Sequence, residues 1–263
     1  MPMNEKGTRT VDGARLKERM IIKVGGNEID DPVFLEQLTT LIKGMIFPPI
    51  IVHGGGKEVT DLQDRLGISA EIVQGLRVTD AAGLQVIEMV LSGLINKRLV
   101  RMLVMAGLKA IGISGVDAHL FQAKRLRLDH LDLGFVGSIT AVNTQVIEQL
   151  LLSGFLPIIS PVSLGGDGQV YNVNADSATQ ALAEALQVGT LVFITNVPGV
   201  RIGADYLQEL KIQEVERYIQ SGEITLGMIP KVRAAVAAVG KGVGSVIITN
   251  AQNFLAGKGT RIK

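Results

Sequence analysis

Two glycine runs that follow apolar stretches are the residues best suited to chemistry in this sequence. Three consecutive glycines, 54–56, end one apolar run, and a glycine pair, 25–26, follows another that carries Lys23. Glycine lets backbone N–H groups approach a ligand closely, and a helix that begins at the same place adds the positive end of its dipole. The two runs and the lysine therefore predict a site that handles a transferred phosphoryl group. A bulky residue at Gly55 or Gly56 should damage turnover more than folding.

A cluster of polar residues stands immediately before a helical pattern. It comprises Asn172, Asn174 and Asp176. One of these residues would serve as a helix N-cap, but capping does not account for all of them. We interpret Asn172 as a hydrogen-bonding partner of a substrate and Asp176 as an anion that orients lysines.

Two further cations stand in unusual places. Lys231 falls in the first turn of a predicted helix, where a positive charge is unfavourable unless an anion compensates for it. Arg77 has the donor geometry that suits bidentate binding of a carboxylate, although a surface salt bridge would also explain it. The turn at 195–199 follows a predicted strand, where a nucleotide base or ribose could bind.

The composition excludes several classes of function. Lys plus Arg (26) nearly balances Asp plus Glu (25), so nothing electrostatic points to a nucleic acid or a membrane surface. The absence of cysteine rules out disulfides and thiolate metal sites, and three histidines are too few for a histidine-rich metal site. We expect His53 to pack or bond at the end of its strand rather than act in catalysis. Residues 1–19 lack the apolar core of a signal peptide and no run could span a membrane, so we expect a cytoplasmic protein.

Short β-rich runs alternate with longer helical patterns, which predicts βαβ units and an α/β fold with a mostly parallel sheet. We expect strands at 20–24, 49–53, 109–113, 156–160, 191–195 and 245–249. We expect helices at 32–45, 57–66, 80–106, 144–153, 176–186, 213–220 and 228–239. The longest of them places an apolar stripe toward the core, made of Leu84, Ile87, Leu91, Leu94, Ile95 and Leu99.

Two segments, 68–79 and 118–141, do not fit this order of strands and helices. Both contain apolar residues that alternate with polar ones, together with turn signals. They predict small hairpins or lids near the C-terminal edge of the sheet. A change in loop chemistry divides the rest of the chain. We expect an N-terminal extension over 1–19, then an N-terminal lobe at 20–170 and a C-terminal lobe at 171–263, which share one continuous sheet.

Six motifs, taken in this order, resemble the amino acid kinase family, and within it the members that act on N-acetyl-L-glutamate. They are Lys-Val-Gly-Gly (23–26), His-Gly-Gly-Gly (53–56), Gly-Leu-Arg-Val-Thr (75–79), Asn-Val-Asn-Ala-Asp (172–176), Asn-Val-Pro-Gly (196–199) and Gly-Met-Ile-Pro-Lys (227–231). The resemblance implies a three-layer αβα sandwich with a mainly parallel central sheet. It places the amino-acid derivative in the N-terminal lobe and ATP in the C-terminal lobe. It also implies a homodimer formed through the N-terminal lobe, with the helix at 80–106 as an interface element.

The resemblance assigns roles to individual residues. It implies that Lys23 and Lys231 stabilise the transition state of phosphoryl transfer and that Asp176 holds both lysines in place. The residues implied to bind the acyl amino acid and the phosphoryl group are Gly55, Gly56, Arg77 and Asn172. The residues implied to bind the nucleotide are Gly25, Gly26, Thr195, Asn196, Val197, Gly199, Gly227 and Met228. Many members carry Asp in place of Asn196. Magnesium would bind on the nucleotide rather than on protein ligands.

The implied reaction is ATP-dependent phosphorylation of the side-chain carboxylate of N-acetyl-L-glutamate to N-acetyl-L-glutamyl 5-phosphate, in arginine biosynthesis. Two alternatives stay open. The stretches 94–100 and 111–119 also look like a carrier-protein-dependent kinase that phosphorylates an aminoadipyl or glutamyl side chain in lysine or arginine biosynthesis. A non-catalytic nucleotide and amino-acid sensor is a third reading, against which the intact lysine–aspartate–lysine set argues.

Overall fold

The structure, a computed structural model, describes residues 16–69, 71–73, 75–128, 131–224 and 228–263. Its strands are β1 Met20–Val24, β2 Ile50–His53, β3 Ile72–Val73, β4 Leu76–Arg77, β5 Ala110–Ser114, β6 Phe121–Arg125, β7 Val136–Val142, β8 Leu156–Ser160, β9 Ser163–Gly165, β10 Val170–Val173, β11 Thr190–Ile194, β12 Arg201–Ile202, β13 Asp205–Tyr206, β14 Glu209–Leu210, β15 Ser245–Thr249 and β16 Thr260–Ile262. Its helices are α1 Pro32–Lys43, α2 Gly56–Leu66, α3 over 81–105, α4 Thr144–Leu152, α5 Ala175–Leu186, α6 Ile212–Gln220, α7 Ile229–Gly240 and α8 Ala251–Leu255. All the predicted strands and helices are present, with their ends within two residues of the predicted ones.

The centre of the fold is an eight-stranded sheet in the order β14-β16-β15-β11-β1-β2-β8-β5. The strands from β15 to β5 pair in parallel, and β16 pairs antiparallel with β15. The mainly parallel sheet is therefore confirmed. Strands of both predicted lobes lie in this one sheet, because β1 pairs with both β2 and β11.

Two hydrophobic cores lie on opposite faces of the sheet. Alternate residues of each central strand point to different cores, so Ile21 and Leu191 pack with α4, α5, α6 and α7. Ile22 and Val192 pack with α1, α2, α3 and α8 on the other face. Strands covered on both faces must be apolar throughout, which explains their sequences. The predicted three-layer αβα sandwich is confirmed.

The two segments that break the alternation form the structures that flank the C-terminal edge of the sheet. β3 and β4 make a short antiparallel hairpin, as predicted for 68–79. The segment 118–141, predicted to form a small hairpin or lid, contains the antiparallel pair β6 and β7, which close into a small barrel with β9 and β10. A two-stranded hairpin cannot bury its apolar face alone, and the two additional strands supply that burial.

Helix α3 runs over 81–105 and changes its winding in the middle. The segment Glu88–Ile95 is a π-helix between the α-helical segments Ala81–Ile87 and Asn96–Met105. The predicted stripe is buried except at Leu94, whose side chain is 57% exposed. The prediction for Leu94 was wrong because it assumed an α-helical period, which the wider π turns shift.

Among the described residues, no helix is long and apolar enough to cross a membrane.

Candidate active site

The two glycine loops lie side by side at the carboxyl ends of β1 and β2. These strands are parallel neighbours, with Val24 opposite His53. The N–H of Gly54 donates to the Val24 carbonyl at 2.9 Å, and Gly54 packs against Gly25. Parallel pairing thus brings together two motifs that are about thirty residues apart in the sequence.

Gly25 leaves room for the end of the Lys23 side chain. A Cβ at position 25 would lie 2.6 Å from Lys23 Nζ. The ammonium group therefore folds back over the loop instead of extending into solvent. Gly26 begins the 3-10 turn Gly26–Asp30, whose Glu28 lines the cavity that also contains Thr195 and Lys231.

Gly55 and Gly56 have different structural reasons to be glycine. Gly55 has φ +148°, and a Cβ there would collide with the Ile95 side chain and lie 2.9 Å from Leu91 Cδ2. Gly56 begins α2, and a Cβ on it would meet no heavy atom within 4 Å. Packing against α3 therefore makes a side chain at Gly55 costly to the fold, so the expectation that a bulky residue harms turnover more than folding stays a prediction that fits Gly56 better than Gly55.

Asp176 forms an ion pair with Lys23 near the start of α5. Lys23 Nζ lies 3.0 Å from Asp176 Oδ1, and that oxygen is buried and accepts no aligned hydrogen bond from the described residues. The contact is thus a charge pair rather than a directed hydrogen bond. Capping of α5 falls to Asn174, whose side chain accepts from the N–H groups of Asp176 and Ser177. The Asp176 carboxylate is therefore free of the capping role.

Lys231 stands near this pair without joining it. It lines a cavity of about 270 Å³ together with Asp176 and Lys23. Within the described residues, however, Lys231 forms no ion pair with Asp176, contrary to the prediction that this carboxylate holds both lysines. Two ammonium groups on one carboxylate repel each other, and an anionic ligand between them would remove that repulsion.

Two cavities meet at Lys23 and Gly25. The first is a cleft of about 280 Å³ bounded by the triple glycine, the β3–β4 hairpin and residues 172–175. The second lies on the side of Thr195, Asn196 and Lys231. The Lys23 ammonium is therefore exposed to both, which is the position required of a group that acts on an atom passing from one to the other.

Arg77 lies in the first cleft and is held by neutral partners. Its guanidinium donates to Gln63 Oε1 at 2.7 Å, to Thr60 Oγ1 at 2.6 Å and to the Gly56 carbonyl at 3.0 Å. No carboxylate of the described chain forms an ion pair with it. Burial lowers the pKa of Arg77, an effect that Asp64 opposes in part. A half-buried guanidinium without a carboxylate partner is suited to an anionic ligand.

Asn172 is anchored to the same wall of the cleft. Its Nδ2 donates to Thr79 Oγ1 at 3.0 Å, and that hydroxyl donates to the Arg77 carbonyl at 2.7 Å. The two predicted substrate-binding residues are thus joined through Thr79, which is buried. Thr79 had no predicted role from the sequence.

The predicted nucleotide residues divide into two groups. Thr195 and Asn196 line the second cavity, with Glu28, which the sequence analysis missed. Val197 and Gly199 lie outside the lining of both cavities. A Cβ on Gly199 would lie 2.6 Å from Thr260 Oγ1, so tight packing explains this glycine.

Two of the predicted nucleotide-binding residues, Gly227 and Met228, precede α7. Met228 is partly buried and packs against the hydrophobic core on the face of the sheet that α4 to α7 cover. Gly227 lies outside the described residues.

His53 and Asn96 form a buried polar pair beneath the triple glycine. Both side chains are fully buried, and Asn96 Nδ2 lies 3.2 Å from His53 Nε2. Burial, the largest cause, lowers the pKa of His53 to about 4. The expectation that His53 bonds at the strand end is confirmed, whereas Asn96 was missed. An amide within a predicted apolar helix face was the available signal for it.

The described residues contain no group of three or more His, Cys, Asp or Glu arranged to hold a metal ion.

Comparison with known proteins identifies the family of this chain. The family model described as "Amino acid kinase family" matches residues 18–250. The chain is 48% identical to acetylglutamate kinase of Chloroflexus aurantiacus, and the match covers 92% of this chain and 95% of that protein. It is 43% identical to acetylglutamate kinase of Methanopyrus kandleri, with 92% of this chain and 99% of that one covered.

Solved structures show the same fold. A crystal structure of a Streptococcus mutans UA159 protein is 31% identical with a TM-score of 0.79, covering 94% of this chain and 99% of that one. Carbamate kinase from Giardia lamblia bound to AMP-PNP is 18% identical with a TM-score of 0.65, covering 93% and 97% of the two chains, and shows likeness of fold alone. With the family match over most of its length and relatives at this identity, the chain belongs to the amino acid kinase family.

Proposed function

We propose that this protein transfers the γ-phosphoryl group of ATP to the side-chain carboxylate of N-acetyl-L-glutamate, forming N-acetyl-L-glutamyl 5-phosphate for arginine biosynthesis. The observation that carries the proposal is the meeting of two cavities at the ion pair of Lys23 and Asp176. The names of relatives that are 40–48% identical over more than nine-tenths of the chain support the choice of substrate.

The reaction requires little acid–base chemistry from the protein. A side-chain carboxylate is already ionised at neutral pH, so no general base is needed. One carboxylate oxygen forms a bond to the γ-phosphorus while the bond between that phosphorus and the leaving oxygen of ADP breaks. Catalysis then consists of in-line positioning and stabilisation of the charge on the transferred group. The Lys23 ammonium and the N–H groups at the start of α2 are the groups suited to this task.

The first cleft would hold the acyl amino acid. Arg77 supplies a guanidinium for a carboxylate, and Asn172 supplies an amide for the acyl group. Ile72 and Leu76 of the β3–β4 hairpin add apolar wall beside them. A ligand with a charged end and a short acyl group matches this lining.

The second cavity would hold the nucleotide. Thr195 and Asn196 lie at the carboxyl end of β11, where ligands of parallel sheets commonly bind. Magnesium would bind mainly through the nucleotide phosphates, as it commonly does, and neutralise part of their charge. Glu28 and Asp176 are the carboxylates that line this cavity.

We also propose that the protein forms a homodimer and lies in the cytoplasm. Apolar side chains are exposed along the outer side of α3, and the most exposed are Met105 (81%), Met89 (57%) and Leu94 (57%). Large exposed apolar side chains grouped on one helix are typical of an interface. Light scattering after gel filtration would test this, and a monomer at micromolar concentration would contradict it.

A kinetic comparison of acyl substrates tests the proposed reaction. ADP release would be followed with ATP and N-acetyl-L-glutamate, N-acetyl-aminoadipate or a carrier-linked glutamyl conjugate. Trapping with hydroxylamine would identify the acyl phosphate as its hydroxamate. We expect the highest kcat/KM for N-acetyl-L-glutamate. Faster turnover of either other substrate would replace the proposal with the carrier-dependent alternative, and binding of both ligands without ADP release would favour a sensor.

A further inference from the structure

The polar pair beneath the triple glycine determines which nitrogen of His53 carries a hydrogen. Asn96 Nδ2 faces the carbonyl oxygens of Ile158 at 3.0 Å and Ile113 at 3.3 Å, while Asn96 Oδ1 accepts from Lys97 Nζ at 3.0 Å. Carbonyl oxygens only accept, so the NH₂ group of Asn96 must be the donor on that side. A hydrogen on His53 Nε2, 3.2 Å from the same nitrogen, would point at an NH₂ group that cannot accept it, so Nε2 is the unprotonated nitrogen of the ring.

This assignment makes His53 Nδ1 a donor to the backbone of the glycine loop. Nδ1 lies 2.9 Å from the Gly54 carbonyl oxygen, so its hydrogen is directed to that oxygen. The N–H of Gly54 is already bonded to the Val24 carbonyl at 2.9 Å. The N–H and the carbonyl of Gly54 are thus both hydrogen-bonded to the protein beneath the loop.

The bond to the Gly54 carbonyl also determines the direction of the next N–H. A trans peptide is planar, with its carbonyl and its N–H on opposite sides. The Gly55 N–H therefore points away from His53, and Gly55 lines the first cleft. Gly55 has φ +148°, a region open to glycine, so the backbone itself offers little resistance to rotation of this peptide.

We propose, on the basis of the proposed function, that His53 is a positioning residue that holds the Gly54–Gly55 peptide with its N–H toward the transferred phosphoryl group. Asn96 sets the imidazole tautomer that makes this possible. Without the His53 hydrogen bond, the peptide can turn its carbonyl oxygen toward the phosphoryl oxygens, which it repels. The effect falls on the transition state, where charge moves, more than on the binding of either substrate.

Three substitutions of His53 separate this role from a structural one. His53→Asn places an amide donor near the position of Nδ1, whereas His53→Gln reaches toward Asn96 but lacks a donor beside Gly54. His53→Leu removes both contacts at similar volume. We expect kcat to fall about 100-fold in the Leu and Gln variants and to return to within about 5-fold of wild type in the Asn variant. KM for both substrates should change less than about 3-fold, as expected of a transition-state effect.

The wild-type protein provides a readout that does not depend on turnover. The ¹⁵N spectrum of the histidine rings, assigned to His53 by comparison with His53→Asn, should show the hydrogen on Nδ1. The ¹³C signal of the Gly54 carbonyl should shift in His53→Leu and shift less in His53→Asn. A hydrogen on Nε2, or a kcat of His53→Leu within 3-fold of wild type, would overturn the proposal. A wild-type protein that phosphorylates no acyl amino acid would refute the proposed function instead, and the two spectra would still decide the peptide orientation.

Discussion

The Lys23 ammonium and the Asp176 carboxylate lie 3.0 Å apart where two cavities meet. The Lys23 side chain is only 18% exposed, whereas that of Asp176 is 45% exposed. The carboxylate therefore balances a cation that would otherwise be poorly solvated. It also holds the ammonium beside Gly25, a residue that lines both cavities. This geometry suits a lysine that serves the group in transit between two substrates.

Replacing Lys23 should separate activity from stability. We expect Lys23→Met to lower kcat by about 10²- to 10³-fold, because it removes a cation aimed at the charge that develops in the transition state. The free energy of unfolding should change by less than about 1 kcal/mol, since partly exposed ion pairs contribute little. Steady-state kinetics and urea unfolding would measure both. The matched control is Lys241→Met, which breaks the 2.9 Å ion pair with Glu184 away from both cavities. Equal losses of kcat in the two variants would contradict the assignment.

Alanine at Gly55 should mainly reduce stability, whereas alanine at Gly56 should mainly reduce turnover. Gly55→Ala places a methyl group against Ile95 at φ +148°, so we expect a loss of about 2–5 kcal/mol in the free energy of unfolding. Gly56→Ala meets open space and should leave that free energy within about 1 kcal/mol. Its methyl group, at the start of α2, should instead lower kcat by about 10-fold or more. Urea unfolding and kinetics of the pair would test this, and a fully stable Gly55→Ala protein would refute the packing account.

Much of this fold could be predicted because its central strands are buried on both faces. The bounds of β1, β8 and β15 follow from mainly apolar runs that end in glycine or polar residues. β14 and β16 were missed because they have two and three residues, and Arg261 in β16 is exposed. Such short strands form because a neighbouring strand is present, not because of their own sequence.

The candidate site was predictable where a residue's type states its chemistry. Lys23, Arg77 and Asn172 line the first cleft, and Lys23 and Asp176 line the second cavity, so the structure brings these predicted residues together. Glycines were harder to interpret, because the atoms that exclude a side chain belong to distant segments. Ile95 excludes one at Gly55, and no local pattern shows this contact.

Arg77→Lys should weaken the binding of the acyl substrate in particular. Lysine keeps the charge but loses the planar set of donors, so we expect KM for the acyl amino acid to rise about 10- to 100-fold and KM for ATP to stay unchanged. Arg233→Lys is the control, because Arg233 already binds Glu216 through two nitrogens, at 3.1 and 3.2 Å, on the surface. The contrast in pKa agrees with this choice: Glu216 raises the pKa of Arg233, whereas burial lowers that of Arg77. A parallel rise in both KM values would show a general disturbance of the site instead.

The free energy of unfolding should decrease in mild acid because of the buried His53. Burial lowers the pKa of His53 in the folded state to about 4, from 6.5 in the unfolded chain. Between these values the unfolded state binds a proton that the folded state does not, so the free energy of unfolding decreases as the pH falls. The loss from pH 7 to pH 4 should approach roughly 3 kcal/mol for this group.

The variant His53→Asn isolates that contribution, because it has no group that titrates at this position. Every other carboxylate and histidine is common to both proteins, including Glu58, whose pKa burial raises. Urea unfolding between pH 4.5 and 7.5 should therefore give two stability curves that converge as the pH falls, if the variant is the less stable at neutral pH. Curves that stay parallel would show that His53 is protonated in the folded state as easily as in the unfolded chain. A doubly protonated ring would place a hydrogen on Nε2 against the NH₂ group of Asn96, so parallel curves would also require that this pair be rearranged.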